Sequence, residues 1–217
     1  MNESDNATVT DGRAYAGKSL TERRRERRAK FVEAGVTVFG REGFRAATVK
    51  GLCRQAGLTE RYFYESFANS EALFAEVYSV LMTDLKDNVV AALDAAPPEP
   101  EAAARAALRV FLETMYHQPG TARIVLIEIF GISGEIDRLY RSTTREYTRL
   151  LQDVVSAIFP LERIPGADAD VLSTGLVGST VHIAMYWTLS DYHEPLDTVV
   201  ESSLALYVAI ARQLADD

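Results

Sequence analysis

An all-α fold follows from three features of the 217-residue sequence. Nearly every long segment spaces its apolar residues at three and four, no stretch alternates with the period of two that a half-buried strand requires, and Pro or Gly punctuates the gaps between runs. The composition, 47% hydrophobic and 25% charged, is that of an ordinary globular chain and excludes disordered, collagenous and disulfide-scaffold classes. One cysteine forms no internal disulfide and suits a reducing compartment.

Met1 to about Ser19 lacks periodicity and is expected to be a disordered arm, polar and acidic, without the apolar core of a secretory signal; a cytoplasmic location is expected. Helix 1 should start where Thr21 can cap the Arg-rich run, bury Phe31, Ala34 and Val38 with Val32, Val36 and Phe39 beside them, and stop at Gly43. Thr48 can cap a short helix carrying Val49, Leu52, Cys53 and Ala56, and Thr59 can cap another from Glu60 to about Phe67. Ala56-Gly57-Leu58 between them supplies a tight turn, so the pair reads as a helix-turn-helix whose second helix enters a DNA major groove.

Asn69 or Ser70 begins a long helix through Leu73, Phe74, Val77, Leu81, Leu85, Val89 and Leu93, which stops near Pro97-Pro98. Further helices are expected at about Glu101 to Gln118, Thr121 to Gly131, Gly134 to Phe159, Asp168 to Ser190 and Pro195 to Ala215. The longest uncharged stretch, Val171 to Ser190, carries Ser173, Thr174, Gly175, Gly178, Ser179, Thr180, His182 and Thr188. Those groups are too many for an ordinary membrane span; the stretch reads as a buried helix, and no membrane partner is expected.

The net charge of −8 conceals a division along the chain. Residues 1–67 hold 13 Lys and Arg against 9 Asp and Glu, a net of +4, whereas the remaining 150 residues carry −12. Arg23, Arg24, Arg25, Arg27, Arg28 and Lys30 concentrate the positive part next to the helix-turn-helix, where it can meet a polyanion.

Phe39-Gly40-Arg41-Glu42-Gly43-Phe44, Ala47-Thr48-Val49, Ala56-Gly57-Leu58-Thr59, Phe63-Tyr64-Glu65-Ser66-Phe67 and Glu71-Ala72-Leu73-Phe74 occur in an order and spacing that closely resemble the TetR family of bacterial one-component transcription regulators. The resemblance covers about Arg27 to Phe74. After the disordered arm expected over 1–19, it implies a helix-turn-helix DNA-binding domain over 20–68 and a larger helical ligand-binding and dimerisation domain over 69–217. The chain departs from the family pattern at Glu65, commonly aromatic or polar, at Ser66, commonly His, and at Ser70, commonly Lys; no DNA contact is carried onto these three.

Thr48 resembles the family's phosphate-contacting threonine, and its position at a helix N-terminus serves a plain N-cap equally well. Thr59, Glu60, Arg61 and Tyr62 form the first turn of the second helix, the part that reaches base edges in this motif. Arg61 is the expected base reader because its guanidinium fork bonds guanine O6 and N7 together, and Tyr62 suits a thymine methyl or a phosphate. Glu60 reads first as a favourable charge at a helix N-terminus. Tyr64 matches the family tyrosine that bonds a phosphate oxygen, and Phe63 and Phe67 read as core. Arg23 and Arg27 stand for the basic run, which can track a phosphate strand or enter the minor groove. Cys53 reads as a packed thiol.

On the resemblance alone, the C-terminal part holds a ligand pocket and a dimer surface. His117, Arg123, Glu128, Tyr140, His182 and Tyr186 are candidate polar pocket groups, with Trp187, Met115, Phe130 and Met185 as apolar wall; ordinary core packing accounts for such a stripe equally well. Gly175, Gly178 and Ala184 with Leu204, Tyr207, Val208 and Ala211 suit a four-helix dimer seam. The expected partners are a double-stranded DNA operator, an unknown small-molecule effector and a second copy of the chain. The expected function is a repressor released from a palindromic operator by that effector.

A helical-bundle enzyme and a ligand-binding scaffold without a DNA role are the alternatives. The sequence contains no GxSxG, HExxH, CxxC or phosphate-binding Gly-rich loop, and His117, His182 and His193 are widely separated, so neither catalysis, a metal nor a cofactor is expected. A scaffold leaves the basic helix-turn-helix without a purpose.

Overall fold

Ser19, not Thr21, opens the first helix in this computed structural model, which describes residues 19–156 and 168–215. Ser19 Oγ accepts from Glu22 N at 3.1 Å while the Glu22 carboxylate accepts from Ser19 N at 2.6 Å, a reciprocal pair that satisfies two amides otherwise orphaned at a helix start. Those bonds hold the Glu22 carboxyl below its ordinary range. Thr21 has no carboxylate three residues on, so the two-residue earlier start is the better capped one. The expected arm lies outside the described residues except at its last position, Ser19.

Helix α1 spans Leu20–Glu42 and ends at Gly43, whose φ of +83° suits glycine. Helix α2, Val49–Ala56, is capped by Thr48 Oγ1 on Gly51 N at 3.1 Å and closed by Gly57 in the left-handed region. Helix α3, Glu60–Ser66, has Thr59 at its N-cap, but the Thr59 hydroxyl makes no capping hydrogen bond. Helix α4 covers Ser70–Ala95 and α5 covers Pro100–His117.

The expected Thr121 to Gly131 helix is divided. Pro119, with φ already preset for a first turn, starts α6 over Pro119–Arg123, and the chain then widens into a π-helical turn, Ile124–Glu128. Helices α7, Gly134–Ser156, α8, Ala169–Leu189, and α9, Leu196–Ala215, complete the described order; Phe159, the expected end of the seventh helix, lies outside the described residues. No described helix is long and apolar enough to cross a membrane.

Aromatic rings bind the first four helices together. Phe31 meets Phe63 edge-on at 5.3 Å, and Phe74 meets Phe39 and Phe44 at 5.3 and 5.2 Å, with Leu52, Phe67 and Leu73 buried around them. Each fully buried side chain of this size contributes about 1.5–3 kcal/mol by leaving water. Helix α4 belongs to both ends of the molecule: Leu73, Phe74 and Val77 face the N-terminal helices, and Leu85 and Val89 extend the same core toward the C-terminal bundle.

The α8–α9 turn is closed by a second aromatic group. Trp187 stacks on Tyr116 at 5.6 Å and donates its Nε1 hydrogen to Glu194 O at 2.9 Å. Asp191 and Tyr192 take positive φ there, a conformation that side chains disfavour, and Tyr192 is held by its own hydroxyl donating to Met115 O at 3.0 Å.

Candidate nucleic-acid interface and its junction with the bundle

The two short helices present different chemistry outward and inward. Phe63 and Leu52 are fully buried, and Cys53 is buried with its thiol pushed above its ordinary range by desolvation and then by the Glu60 charge. Thr48, Lys50, Arg54, Thr59, Glu60, Arg61 and Tyr64 are exposed around the turn. Tyr64 rests edge-on against Phe63 at 5.4 Å, a packing that aims a large ring outward from a rigid base. Short donors and cations on one rigid turn are what a phosphate backbone with readable base edges requires.

The basic run of α1 is less free than its sequence suggests. Arg23 is exposed, but Arg28 pairs with Glu76, donates to Ser66 O and lies over the Phe67 ring at 4.2 Å, tying α1 to α3 and α4. Arg27, expected to contact DNA, lies over the Tyr62 ring at 4.5 Å and 3.8 Å from the Glu65 carboxylate. Tyr62 is half-buried under that cation, so α1 and the second helix of the motif hold one another through it.

Of the expected pocket groups, Arg123 and Glu128 engage each other and the end of α1. Arg123 Nε donates to Glu128 Oε1 at 3.0 Å and its Nη1 donates to Arg41 O at 2.9 Å, while Phe44 N donates to Glu128 Oε2 at 2.8 Å. The π-helical turn therefore grips the end of α1. Around it the backbones touch: a Cβ on Gly40 would stand 2.7 Å from Gly120 Cα, and one on Gly43 would stand 2.7 Å from both Arg123 Nη2 and Glu128 Oε1. Two close glycines and a charge-assisted network make this a rigid joint. No spacing rule pairs position 44 with position 128, so the joint was invisible in the sequence.

Among the remaining pocket candidates, His117 and Trp187 both meet the Tyr116 ring. His117 is exposed against the Tyr116 ring, Tyr140 lies edge-on to Phe130 at 4.9 Å, His182 and Tyr186 face outward on α8, and Trp187 is in the core. A groove of about 400 Å³ between α4 and α7 is lined by other residues, among them Ala72, Ala75, Glu76, Ile136 and Leu139. The expected dimer seam divides likewise. Gly175 and Gly178 are exposed with open space above them, whereas Ala184 and Leu204 are buried in the protomer's own core and Tyr207 donates its hydroxyl to Leu176 O at 3.3 Å. Val208 is half-buried, and the side chain of Ala211 lies outside the described residues. Val171, Tyr186 and Leu189 form the large exposed apolar side chains of α8 instead.

A buried aromatic platform carrying an exposed, cation-rich two-helix turn, followed by a helical bundle, is the arrangement of a helix-turn-helix motif on a helical domain. Residues 31–77 match the family profile described as bacterial regulatory proteins, tetR family. This stretch, which holds both helices of the motif, is thus similar to the N-terminal DNA-binding domain of that family. The chain is 24% identical over 181 residues to the HTH-type transcriptional activator FasR of Mycolicibacterium smegmatis, covering 83% of this chain and 81% of that protein. Its fold is similar to that of the fatty acid degradation regulator FadR from Bacillus halodurans, with a TM-score of 0.73 and 16% identity over 88% of this chain and 95% of that one. FadR from Bacillus subtilis, solved in complex with stearoyl-CoA, superposes with a TM-score of 0.74 at 15% identity, covering 84% and 97% of the two chains.

Proposed function

We propose that this regulator is a homodimeric repressor that leaves a roughly palindromic operator when a small, largely apolar effector occupies its C-terminal domain. The observation that carries the reading is the joint of Arg123 and Glu128 with Arg41 O and Phe44 N. Any rearrangement of the π-helical turn by a ligand must move or release the end of α1, on which the DNA-reading helices are built. Such coupling is typically about 1–3 kcal/mol and requires the effector to bind the two conformers unequally.

In this reading Arg61 contacts guanine, Thr59 and Tyr62 adjoin the bases, Thr48 and Tyr64 fix phosphates, and Arg23 with its exposed neighbours supplies charge along the duplex. The exposed side chains Val171, Tyr186 and Leu189, with Gly175 and Gly178 on the same helix, support a second copy docking on α8. Two copies place their reading helices in successive major grooves about 34 Å, or a multiple of that, apart. The bound stearoyl-CoA of the Bacillus subtilis neighbour makes a long-chain acyl thioester the first effector to test. The relative from Mycolicibacterium smegmatis is named an activator, which supports activation as the second reading of the sign.

The test is selection of bound sequences from a random duplex pool at moderate salt, followed by titration of the recovered site with stearoyl-CoA. An inverted repeat released by the thioester is the expected result. Equal operator affinity with and without saturating thioester removes that effector class, and recovery of no sequence by folded protein removes the regulator mechanism as drawn. Transcription in vitro from a promoter bearing the site separates repression from activation.

A further inference from the structure

We propose that Glu65 is a positioning residue for base recognition: it fixes the guanidinium of Arg61 in one orientation and thereby sets the preference at one operator position. The inference rests on the reading of Arg61 as a base contact. Arg61 and Glu65 lie one turn apart on α3, and Arg61 Nε donates to Glu65 Oε1 at 3.0 Å. The other carboxylate oxygen, Oε2, faces Arg27 Nη2 at 3.8 Å. One oxygen thus orients the reader and the other ties it to α1.

The two arginines have unlike roles. The Arg27 side chain is 22% exposed and lies over the Tyr62 ring at 4.5 Å, a fixed cation on the first helix. The Arg61 side chain is 84% exposed and would otherwise sweep freely, whereas Glu65, 30% exposed, occupies its Nε. An arginine can meet guanine O6 and N7 through its Nη1/Nη2 end or its Nε/Nη side. With Nε taken, the end-on pair remains for the base, and ordering of a long side chain before it meets DNA reduces what binding must immobilise.

A carboxylate beside phosphates is otherwise a disadvantage. Between Arg27 and Arg61 its charge is locally balanced, which offsets that disadvantage. An exposed pair at this spacing adds little to helix stability, so its consequence should lie in recognition.

The experiment compares bound-sequence profiles from a random duplex pool for wild type, Glu65→Ala, Glu65→Gln, Arg61→Ala and the double Ala variant, with affinity for a fixed nonspecific duplex measured in parallel. Thermal unfolding establishes that each variant is folded. Glu65→Ala is expected to reduce guanine preference about fivefold or more at one position per half-site, a part of the discrimination a bidentate contact supplies, without weakening nonspecific binding. Glu65→Gln, which retains an acceptor for Nε, should keep more of the preference than Glu65→Ala. In the Arg61→Ala background, Glu65→Ala should leave the profile unchanged. A Glu65→Ala profile equal to wild type, or affinity rising equally on all sequences, overturns the proposal and makes Glu65 a repulsive surface charge only. A wild-type inverted repeat that Arg61→Ala does not alter also overturns it while leaving the regulator reading intact. Failure of wild type to select any sequence overturns both.

Discussion

The two ends of the molecule solve the same packing problem differently. The α1–α3 end buries its rings inside one protomer, with Phe63 and Phe31 fully covered, and turns outward only groups that water or phosphate can satisfy. The outer face of α8 leaves Val171, Tyr186 and Leu189 uncovered. One surface is finished and meets a polar partner; the other has the character of half a core. Between them the Arg123–Glu128 joint and the Gly40–Gly120 contact fix how the finished end sits on the bundle.

Breaking the finished end should have the largest effect on stability. Phe63→Ala is expected to cost about 3–5 kcal/mol, because the cavity opens among rings that cannot collapse onto it; chemical denaturation measures the loss. Breaking the unfinished end should instead change assembly and leave the protomer folded. With the proposed dimer docking on α8, Tyr186→Glu, on an already exposed position, is expected to shift sedimentation from twice the 24.0 kDa chain mass toward one copy at micromolar concentration, with little change in helical circular dichroism. An unchanged dimer would remove α8 as the seam.

The joint lies between these extremes. Glu128→Ala strips Phe44 N and Arg123 of an acceptor and should cost about 1–3 kcal/mol. Its sharper signature is operator binding that responds less to effector than the wild type does. Gly43→Ala should act in the same direction, since its Cβ would strike both joint side chains and its φ is unfavourable for alanine. The smallest expected effect is Tyr64→Phe, a loss of about 0.5–1.5 kcal/mol shared by all DNA sequences. Arg61→Ala should instead cost about 1–3 kcal/mol and relax one base position. Fluorescence anisotropy on matched and mismatched duplexes separates the two.

Much of the first end was legible because its determinants are local. Thr48 caps three residues away, Gly57 turns the chain where it stands, and Phe63 and Phe67, four residues apart, are both buried. Ser19 rather than Thr21 caps α1 because it has a carboxylate three residues on, Glu22, to close the reciprocal pair, which the hydroxyl nearer the apolar run lacks. The bundle was less legible. A small or apolar residue on a helix suits a seam between copies as well as a protomer's core, and Ala184 and Leu204 fall in the core.

Composition, periodicity and the turn residues by themselves determined an all-helical chain with a basic two-helix motif, because helix caps and glycine turns act over three or four residues. Only the tertiary structure decided what the charged side chains do. Arg28 became a tie to Glu76, Arg123 and Glu128 a joint to α1, and Glu65 a bridge between Arg27 and Arg61. A guanidinium takes whichever carboxylate or carbonyl the folded backbone brings within reach, and several of those partners lie tens of residues away along the chain.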